Sequence, residues 1–457
     1  MSKSTINNST NQIQGTLFPL SSLQSKKVEA SFTSPDLSSF GGLLLMRECE
    51  KEIGFISSLR RCIVDSRSPL LIQHTYTEML TQRIFQIAAG YEDADDCDLL
   101  REDSVLKLCA GKSPNDPPLS SQPTITRLEN KLNHRELYDM GVAFVEQFIQ
   151  SYDQEPEVVI LDCDDSNANT YGEQQLTLFN NYYGEYCYMP LFIFEGISGK
   201  MILPLLRPGR GNKSINIFGL LTRIITLLRK SWKKTRFILR GDSHFCCKEF
   251  MDWAEDKKEI HFITGLTGNS VLFERTRKWV ENAQKEYKRT RIPSKSYHRF
   301  MYKAKSWKYD QRVIVKIEIS EKGVNIRFVV TSFKKSQARF LYEHLYCGRG
   351  LMELYIKEVK TYLFADRMSC NKFSANQFRL YIHAAAYVLL HAMKTQIFTG
   401  TPVEDYSMMT LREKVLLSSV LIHEKKKKIH IEFTQNHPHE RELALVMQRY
   451  ALLRSCG

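Results

Sequence analysis

The residues after Pro156 change from a helical to a strand-like pattern, and this change constrains the fold more than any other feature of the sequence. Three apolar runs rich in β-branched and aromatic residues follow in quick succession, at 158–164, 186–194 and 201–206. Gly196 and Gly199 separate the last two runs. Such spacing predicts three strands joined by tight turns, an antiparallel meander.

The next segment alternates between helix and strand patterns. One helical face carries the apolar residues Ile217, Leu221, Ile224 and Leu228. A short strand at 237–240, a helix through Phe250 and Trp253, and a strand at 261–265 follow. The order β-β-β-α-β-α-β is that of an RNase H-like core, in which helices flank a mixed sheet. We therefore predict an α/β fold class.

The chain of 457 residues is basic, because 64 Lys and Arg oppose 51 Asp and Glu for a net charge of +13. A surplus of this size indicates a polyanionic partner, with nucleic acid ahead of a membrane surface. Between 275 and 308, twelve Lys and Arg face only Glu281 and Glu286. Interleaved aromatic residues favour nucleic-acid contact over a solvated surface. We predict that this contact includes Arg289, Arg291 and Lys295.

Composition argues against several other protein classes. No apolar run reaches the roughly 18 residues of a membrane span, and the polar N-terminus lacks the apolar region of a secretory signal. The eleven Cys are scattered without a C-x-x-C pair, which disfavours a zinc finger and a disulfide framework. We expect a cytoplasmic protein without a membrane partner.

Three acidic residues occupy the positions at which an RNase H-like core carries its catalytic carboxylates. Asp164 ends the first strand, Asp242 follows the fourth, and Glu353 lies on the helix after the fifth. Two divalent ions that share such carboxylates activate the attacking oxygen and stabilise the leaving oxygen of a phosphodiester. Hard oxygen ligands suit Mg²⁺. We predict a catalytic site with two Mg²⁺ ions, for which Mn²⁺ can substitute.

The first carboxylate has an alternative, because Asp162, Asp164 and Asp165 cluster. Strand alternation places Asp162 and Asp164 on one face and Asp165 on the other. We favour Asp164, which ends the strand, over Asp162. In that case Asp162 lies deeper and pairs with a basic side chain such as Arg240.

Four residues around the third carboxylate form a pattern on one helix. Tyr346, Glu353 and Lys360 are spaced by seven residues and share a face, while Arg349 lies one turn from Glu353. Arg can bind phosphate in a bidentate way, and Lys supplies a point charge. We predict that Tyr346, Arg349 and Lys360 bind a DNA terminus.

With these motifs the chain resembles the DDE transposases of bacterial insertion sequences, in the branch defined by a Tyr-Arg-Glu-Lys motif. The resemblance covers residues 90–395 and is carried by the stretches LDCDDSNANTYGEQQ, YCYMPLFIFEG, LPLLRPG, LRGDSHF, RFVVTS and GRGLMELYIKEVK. The family pattern of Asp, any residue, then Ser or Thr fits Asp164-Asp165-Ser166. It therefore also favours Asp164 over Asp162.

The resemblance implies cut-and-paste transposition. Such an enzyme hydrolyses strands at terminal inverted repeats and joins the 3′-hydroxyls to target DNA, as a homodimer in the synaptic complex. The implied location is the bacterial nucleoid. Two alternatives stay open: a non-catalytic DNA-binding relative, and an RNase H-like nuclease without strand joining.

The same interpretation divides the chain into six parts. We predict a flexible basic arm at 1–35, a mostly helical DNA-end-binding domain at 36–155, and the RNase H-like core at 156–265 and 335–398. A basic, β-containing insertion at 266–334 precedes the catalytic Glu helix. The C-terminal region, 399–457, is assigned to DNA contact or dimerisation.

Overall fold

The structure is a computed structural model that describes residues 16–34, 36–209, 217–257 and 259–455. Its strands are β1 (Phe18–Leu23), β2 (Lys26–Ala30), β3 (Leu37–Ser38), β4 (Val158–Asp165), β5 (Ala168–Asn169), β6 (Leu178–Asn180), β7 (Glu185–Tyr188), β8 (Leu191–Glu195), β9 (Met201–Leu205), β10 (Arg236–Gly241), β11 (Ile260–Leu266), β12 (Ser294–Tyr302), β13 (Gln311–Ser320), β14 (Gly323–Thr331), β15 (Val420–Lys425) and β16 (Lys428–Phe433). Its helices are α1 (Leu43–Ile53), α2 (Phe55–Arg61), α3 (Tyr76–Ala89), α4 (Asp96–Leu100), α5 (Ser104–Cys109), α6 (Gln122–Lys131), α7 (His134–Gln150), α8 (Ile217–Ser231), α9 (Lys248–Asp256), α10 (Ser270–Thr290), α11 (Ala338–Phe340), α12 (Gly350–Lys357), α13 (Phe373–Ala392), α14 (Met408–Leu411) and α15 (Glu440–Ser455).

A large mixed sheet organises the molecule. Its eight strands lie in the order β12-β13-β14-β11-β10-β4-β8-β9. The three central strands β11, β10 and β4 are parallel, whereas β8, β9 and β14 pair antiparallel to their neighbours. Helices precede, separate and follow these strands along the chain, so the predicted α/β fold class is confirmed.

The strands and helices predicted between 156 and 265 are present, with one correction. The run 186–194 is not one strand but two, β7 and β8. Pro190 lies between them, and its missing N–H cannot continue a ladder of backbone hydrogen bonds. As a result β7 pairs with β5 and β6 in a separate small sheet, and only β8 joins the main sheet.

The segment 266–334 contains a long helix that the sequence analysis missed. Only Leu272 and Thr276 are fully buried within α10, but Trp279, Val280, Ala283 and Tyr287 follow at helical spacing and pack partly buried against the core. The charged residues between them make this apolar stripe weak in the sequence. Asn269 caps the helix by accepting a hydrogen bond from the N–H of Leu272. The three strands that follow extend the main sheet, because β14 pairs with β11.

Helix α13 lies at the centre of the hydrophobic core between the N-terminal helices and the main sheet. Sixteen of its twenty residues are buried, as expected of a helix that is apolar on nearly all sides. It packs against α3, α6 and α7 of the N-terminal helical region and against β9 of the main sheet. No helix in the described ranges is long and apolar enough to cross a membrane.

The two ends of the chain meet in a small sheet. Strand β3 pairs with β15, which pairs with β16, and Tyr450 of α15 donates a hydrogen bond to the carbonyl of Leu45. The run Lys425–Lys428 forms the turn of the β15–β16 hairpin. Of the segment predicted as an arm, 16–34 contains an exposed hairpin, β1–β2, and residues 1–15 and 35 lie outside the described residues.

A buried ion pair between Asp162 and Arg240 links the elements that carry the predicted site. Arg240 Nε donates to Asp162 Oδ1 at 2.5 Å, and Nη2 donates to Asp162 Oδ2 and, at 3.2 Å, to the carbonyl of Gly196. Nη1 donates to the carbonyl of Leu345 at 2.7 Å. One guanidinium therefore joins β4, β10, the turn after β8 and the helical segment that precedes α12.

We predict that Arg240→Met lowers the free energy of unfolding by about 3–5 kcal/mol, because it leaves the Asp162 carboxylate buried without a partner. Urea unfolding followed by circular dichroism measures this change. Arg339→Met is the matched control, since Arg339 forms its ion pair with Glu343 on the exposed surface and its loss should leave the midpoint nearly unchanged. Equal midpoint shifts in the two variants would contradict the prediction.

Candidate active site

Asp164 and Asp242 lie at the ends of two neighbouring parallel strands. Asp162 of β4 is paired in register with Arg240 of β10. Two residues beyond this pair, Asp164 of β4 and Asp242, which directly follows β10, lie at the carboxyl edge of the sheet. The side chains of these two aspartates are 18% and 21% exposed, so both reach solvent from a largely buried position. Register therefore brings together the first two predicted carboxylates.

The two carboxylates interact electrostatically. Burial raises the pKa of Asp164, and the charge of Asp242 raises it further. The Arg349 guanidinium opposes both effects, because its Nη1 donates to Asp164 Oδ2 at 2.7 Å. A site that holds two acidic groups close together at a sheet edge favours a cation between them.

His244 contacts Asp242, and the sequence analysis did not predict this contact. Asp242 Oδ1 accepts from the N–H of His244 at 2.8 Å, and Oδ2 lies 2.6 Å from His244 Nδ1. This hydrogen bond raises the pKa of His244, whose side chain is otherwise 85% exposed. The short spacing in Asp-Ser-His was the signal, since a side chain that caps a turn accepts from the N–H two residues ahead.

The segment from Ala338 to Tyr362 is helical throughout but irregular. A π-helical turn (Leu341–Tyr346) and a 3₁₀ turn (Cys347–Arg349) precede α12, and a second π-helical turn (Glu358–Tyr362) follows it. Single π turns within helices are frequent at functional sites. These turns set which side chains of the segment face the end of β4.

Two of the predicted DNA-binding residues on this segment contact the chain at the end of β4. Arg349 binds Asp164, and Lys360 Nζ donates to Ser166 Oγ at 3.2 Å and to Asn167 Oδ1 at 2.9 Å. The segment is thereby held at two points, by Arg349 against Asp164 and by Lys360 against the loop that follows β4.

Tyr346 lies beside the same site. Its hydroxyl would lie 2.8 Å from a Cβ at Gly265, so this close approach to β11 requires glycine there. Burial raises the pKa of Tyr346, and its charge environment includes Arg349 and Asp242. The hydroxyl therefore keeps its proton at neutral pH and can donate a hydrogen bond.

Glu353 is not brought into contact with the two aspartates. Its side chain is exposed, and it has no hydrogen bond or ion pair with another described residue. Glu353 shares a helix face with Arg349, four residues before it, and with Lys360, seven residues after it. Within the described ranges, no group of three His, Cys, Asp or Glu is placed to hold a metal ion.

The other two aspartates of β4 have basic partners of their own. Asp162 is fully buried against Arg240, the partner that the sequence analysis named for it. Asp165 pairs with Arg207, which is almost completely buried. Asp164 differs from both in its position, because its neighbouring carboxylate is Asp242 at the end of the adjacent parallel strand and its side chain reaches solvent.

The basic residues predicted in the 266–334 segment lie around the end of α10 and on β12. Arg289 pairs with Glu286 at 2.6 Å, and Lys295 pairs with Glu318 at 3.3 Å. Arg291 ends α10 in the left-handed conformation, with φ of 58°. Because Arg289, Lys295 and their partner Glu286 lie on the surface, these pairs are weak and can exchange for phosphate.

Comparison with known proteins assigns the chain to a family. Residues 20–455 match the family model described as transposase DDE domain group 1. No curated protein sequence matches the chain. Among solved structures, the chain is similar to the piggyBac transposase in a cryo-EM structure of its synaptic complex with hairpin DNA, at 11% sequence identity and a TM-score of 0.41, with 82% of this chain and 79% of that chain covered. Because the family model spans nearly all of its sequence, the protein belongs to the transposases with a group 1 DDE domain.

Proposed function

We propose that this transposase catalyses cut-and-paste transposition of a bacterial insertion sequence. It hydrolyses strands at the terminal inverted repeats and transfers the 3′-hydroxyl ends to target DNA. The observation that carries the proposal is the placement of Asp164 and Asp242 at the ends of adjacent parallel strands, beside Arg349.

The proposal includes an RNase H-like core. Strands β9-β8-β4-β10-β11 lie side by side, and β4, β10 and β11 are parallel while β8 is antiparallel to β4. This is the strand order expected when three antiparallel strands precede two crossover connections. The order supports the assignment of the first aspartate to β4 and of the second to the end of β10.

The proposed cofactor is a pair of Mg²⁺ ions, which Mn²⁺ can replace. The donor chemistry fits, because Asp164 and Asp242 offer hard carboxylate oxygens to solvent and Mg²⁺ needs few protein ligands. Glu353 is the third proposed ligand. When bound, two such ions stabilise the attacking and leaving oxygens of the phosphodiester.

The basic side chains of the site position the DNA. Arg349 donates one hydrogen bond to Asp164 through Nη1, and its planar fork can bind a phosphate in a bidentate manner once the carboxylates hold cations. Lys360 is oriented by Ser166 and Asn167 and supplies a second positive charge. Tyr346 donates from its protonated hydroxyl to a phosphate or sugar oxygen.

The partners follow from the same proposal. The protein binds terminal inverted repeats and target DNA, and acts as a homodimer in the synaptic complex at the nucleoid. The helical region 36–155 binds the element ends, the basic segment 266–334 binds the DNA backbone, and 399–457 contributes to DNA contact or dimerisation.

Asp164→Asn, Asp242→Asn and Glu353→Gln should each lower cleavage of end DNA in Mg²⁺ by more than about 10⁴-fold, the loss typical of a deleted catalytic group. Binding of end DNA should persist, because these side chains hold metal rather than DNA. Gel assays of cleavage and of end binding measure the two effects. Strand joining with a pre-cleaved end separates a transposase from a nuclease that cannot join and from a non-catalytic binder.

Asp165→Asn is the control for this prediction, because its carboxylate faces Arg207 and the variant should retain turnover. Asp162→Asn tests the alternative first carboxylate and should also retain turnover in the folded fraction. If Asp162→Asn is folded and inactive while Asp164→Asn is active, the first catalytic carboxylate is Asp162.

The basic segment gives a second prediction. Replacing Arg289, Arg291 and Lys295 together with Ala should flatten the dependence of end-DNA affinity on salt, by about 0.9 in log–log slope for each phosphate that the variant no longer neutralises. Fluorescence anisotropy over a range of salt concentrations measures the slope. The double variant Glu286→Gln and Glu318→Gln should act in the opposite direction, because it frees Arg289 and Lys295 from their acidic partners. An unchanged slope in the triple variant removes these residues from the DNA-binding surface.

A further inference from the structure

The hairpin formed by β1 and β2 has no partner strand among the described residues. The two strands pair with each other and with no other described strand. Every residue of both strands is exposed. A two-stranded hairpin is at best marginally stable in water, and further strands or a packed face are needed for more. The hairpin is therefore an interaction surface whose partner does not lie in the described part of one copy.

One face of the hairpin is apolar. The register pairs Phe18 with Ala30 and Leu20 with Val28, so these four side chains point to the same side. The ring of Phe32 packs edge-on against that of Phe18, with 6.0 Å between the ring centroids. Leu20 and Phe32 are nevertheless 58% and 72% exposed.

Pro19 decides which backbone groups of the hairpin are free. It has no N–H, so the hydrogen bonds of this register must run between Phe18 and Ala30 and between Leu20 and Val28. Alternate residues of a strand direct their backbone groups to opposite edges. The N–H and C=O groups on either side of Val28, those of residues 27 and 29, therefore point away from β1 and can pair with another strand.

The same proline blocks the other edge of the hairpin. Pro19 faces outward on β1 and cannot donate a hydrogen bond to an added strand. Proteins use Pro in this way to prevent pairing at an exposed edge. Because only the β2 edge is open, pairing of identical hairpins closes at two copies and does not continue into a fibre.

The charges of β2 are complementary to themselves when two copies of the strand run antiparallel. A two-fold axis through Val28 places Lys27 opposite Glu29 of the second copy, and Glu29 opposite Lys27. Opposite charges at directly opposed positions stabilise paired strands, and like charges destabilise them. Lys27 and Glu29 are exposed and form no ion pair with another described residue, so both are available for this contact.

Other arrangements of the same two strands oppose like charges. Moving the axis by one residue along the strand places Lys27 opposite Lys27, or Glu29 opposite Glu29. A parallel pairing in register places Lys26 and Lys27 beside the same residues of the second copy. Charge and backbone direction thus both favour the antiparallel register centred on Val28.

We propose that β2 is a dimerisation edge, through which two copies of this chain form a four-stranded antiparallel sheet in the order β1-β2-β2-β1. The apolar faces of the two hairpins join into one face across the axis at Val28. A sheet of four strands with an apolar face is more stable than either hairpin alone. The proposal does not depend on the transposase activity, because this edge contains none of the residues assigned to cleavage.

Sedimentation velocity of the full chain at several protein concentrations, without DNA and without metal, tests the proposal. We expect an equilibrium between monomer and dimer. Lys27→Glu should raise the dissociation constant of the dimer at least about fivefold, because it opposes like charges at two positions of each dimer. The double variant Lys27→Glu with Glu29→Lys should restore the affinity of the unchanged chain, since the two charges exchange places.

Lys26→Glu is the matched control for this series. It changes the net charge of the same strand by the same amount, but Lys26 lies opposite the uncharged Ala30 of the second copy. Its dimer affinity should stay within about twofold of that of the unchanged chain. A monomer at every concentration, equal losses in the two single variants, or a double variant without recovery would overturn the proposal.

Val28→Cys tests the position of the axis. The two Val28 residues form a non-hydrogen-bonded pair with Cβ atoms about 4.5–5.5 Å apart, so mild oxidation should join the two copies by a disulfide. Leu20→Cys is the control, because Leu20 lies on the same face and is more exposed, yet three strand spacings, about 14 Å, separate it from its own copy. Peptide mass spectrometry identifies the linked residues. Equal linking in the two variants would also overturn the proposal.

These measurements separate the dimerisation edge from the proposed function. Asp164→Asn should form the same dimer as the unchanged chain, because the sedimentation experiment contains no cleavage step. Cleavage of end DNA by a chain that stays monomeric without DNA would reject the dimerisation edge alone. A dimer with the expected response to charge that cannot cleave DNA would reject the transposase activity alone.

Discussion

The ion pair between Asp162 and Arg240 is the interaction on which the candidate site depends. Its guanidinium donates to a carboxylate of β4, to the turn after β8 and to the helical segment before α12. Gly348 belongs to the same arrangement, because a Cβ there would lie 2.6 Å from Arg240 Nη1. Two parallel strands and the helix that crosses their ends are thereby held in one geometry.

The candidate active site next to this ion pair is not neutralised in the same way, because it brings two carboxylates together. Asp164 and Asp242 share one sheet edge, and the charge of Asp242 adds to burial in raising the pKa of Asp164. Arg349 relieves part of that repulsion in the structure, and His244 binds the second aspartate. The Asp162–Arg240 ion pair stabilises the sheet because its charges neutralise each other. Asp164 and Asp242 keep negative charge that is only partly neutralised, and such a sheet edge favours a bound cation.

Much of the fold could be predicted from sequence because its signals are local. The continuous apolar runs of β4 and β10 and the apolar face of α8 can be recognised in short windows of sequence. The break between β7 and β8 was missed although Pro190 marks it, and α10 was missed because many charged residues separate the members of its partly buried apolar stripe. Of the candidate site, register placed Asp164 beside Asp242, whereas Glu353 stays exposed on the surface of its helix.

The sequence by itself determined the order of the elements, the positions of the acidic residues on them and the basic character of the chain, since these follow from composition and periodicity. Only the tertiary structure decided which partner each aspartate meets. Asp162, Asp164 and Asp165 are close neighbours in sequence, yet they face Arg240, Arg349 and Arg207, which come from three different elements. A polar cleft between α6, the chain after β5 and the chain before α13 likewise exists only where distant segments pack together. Ion pairs and cavities of this kind depend on contacts between residues far apart in the chain, and no local pattern encodes them.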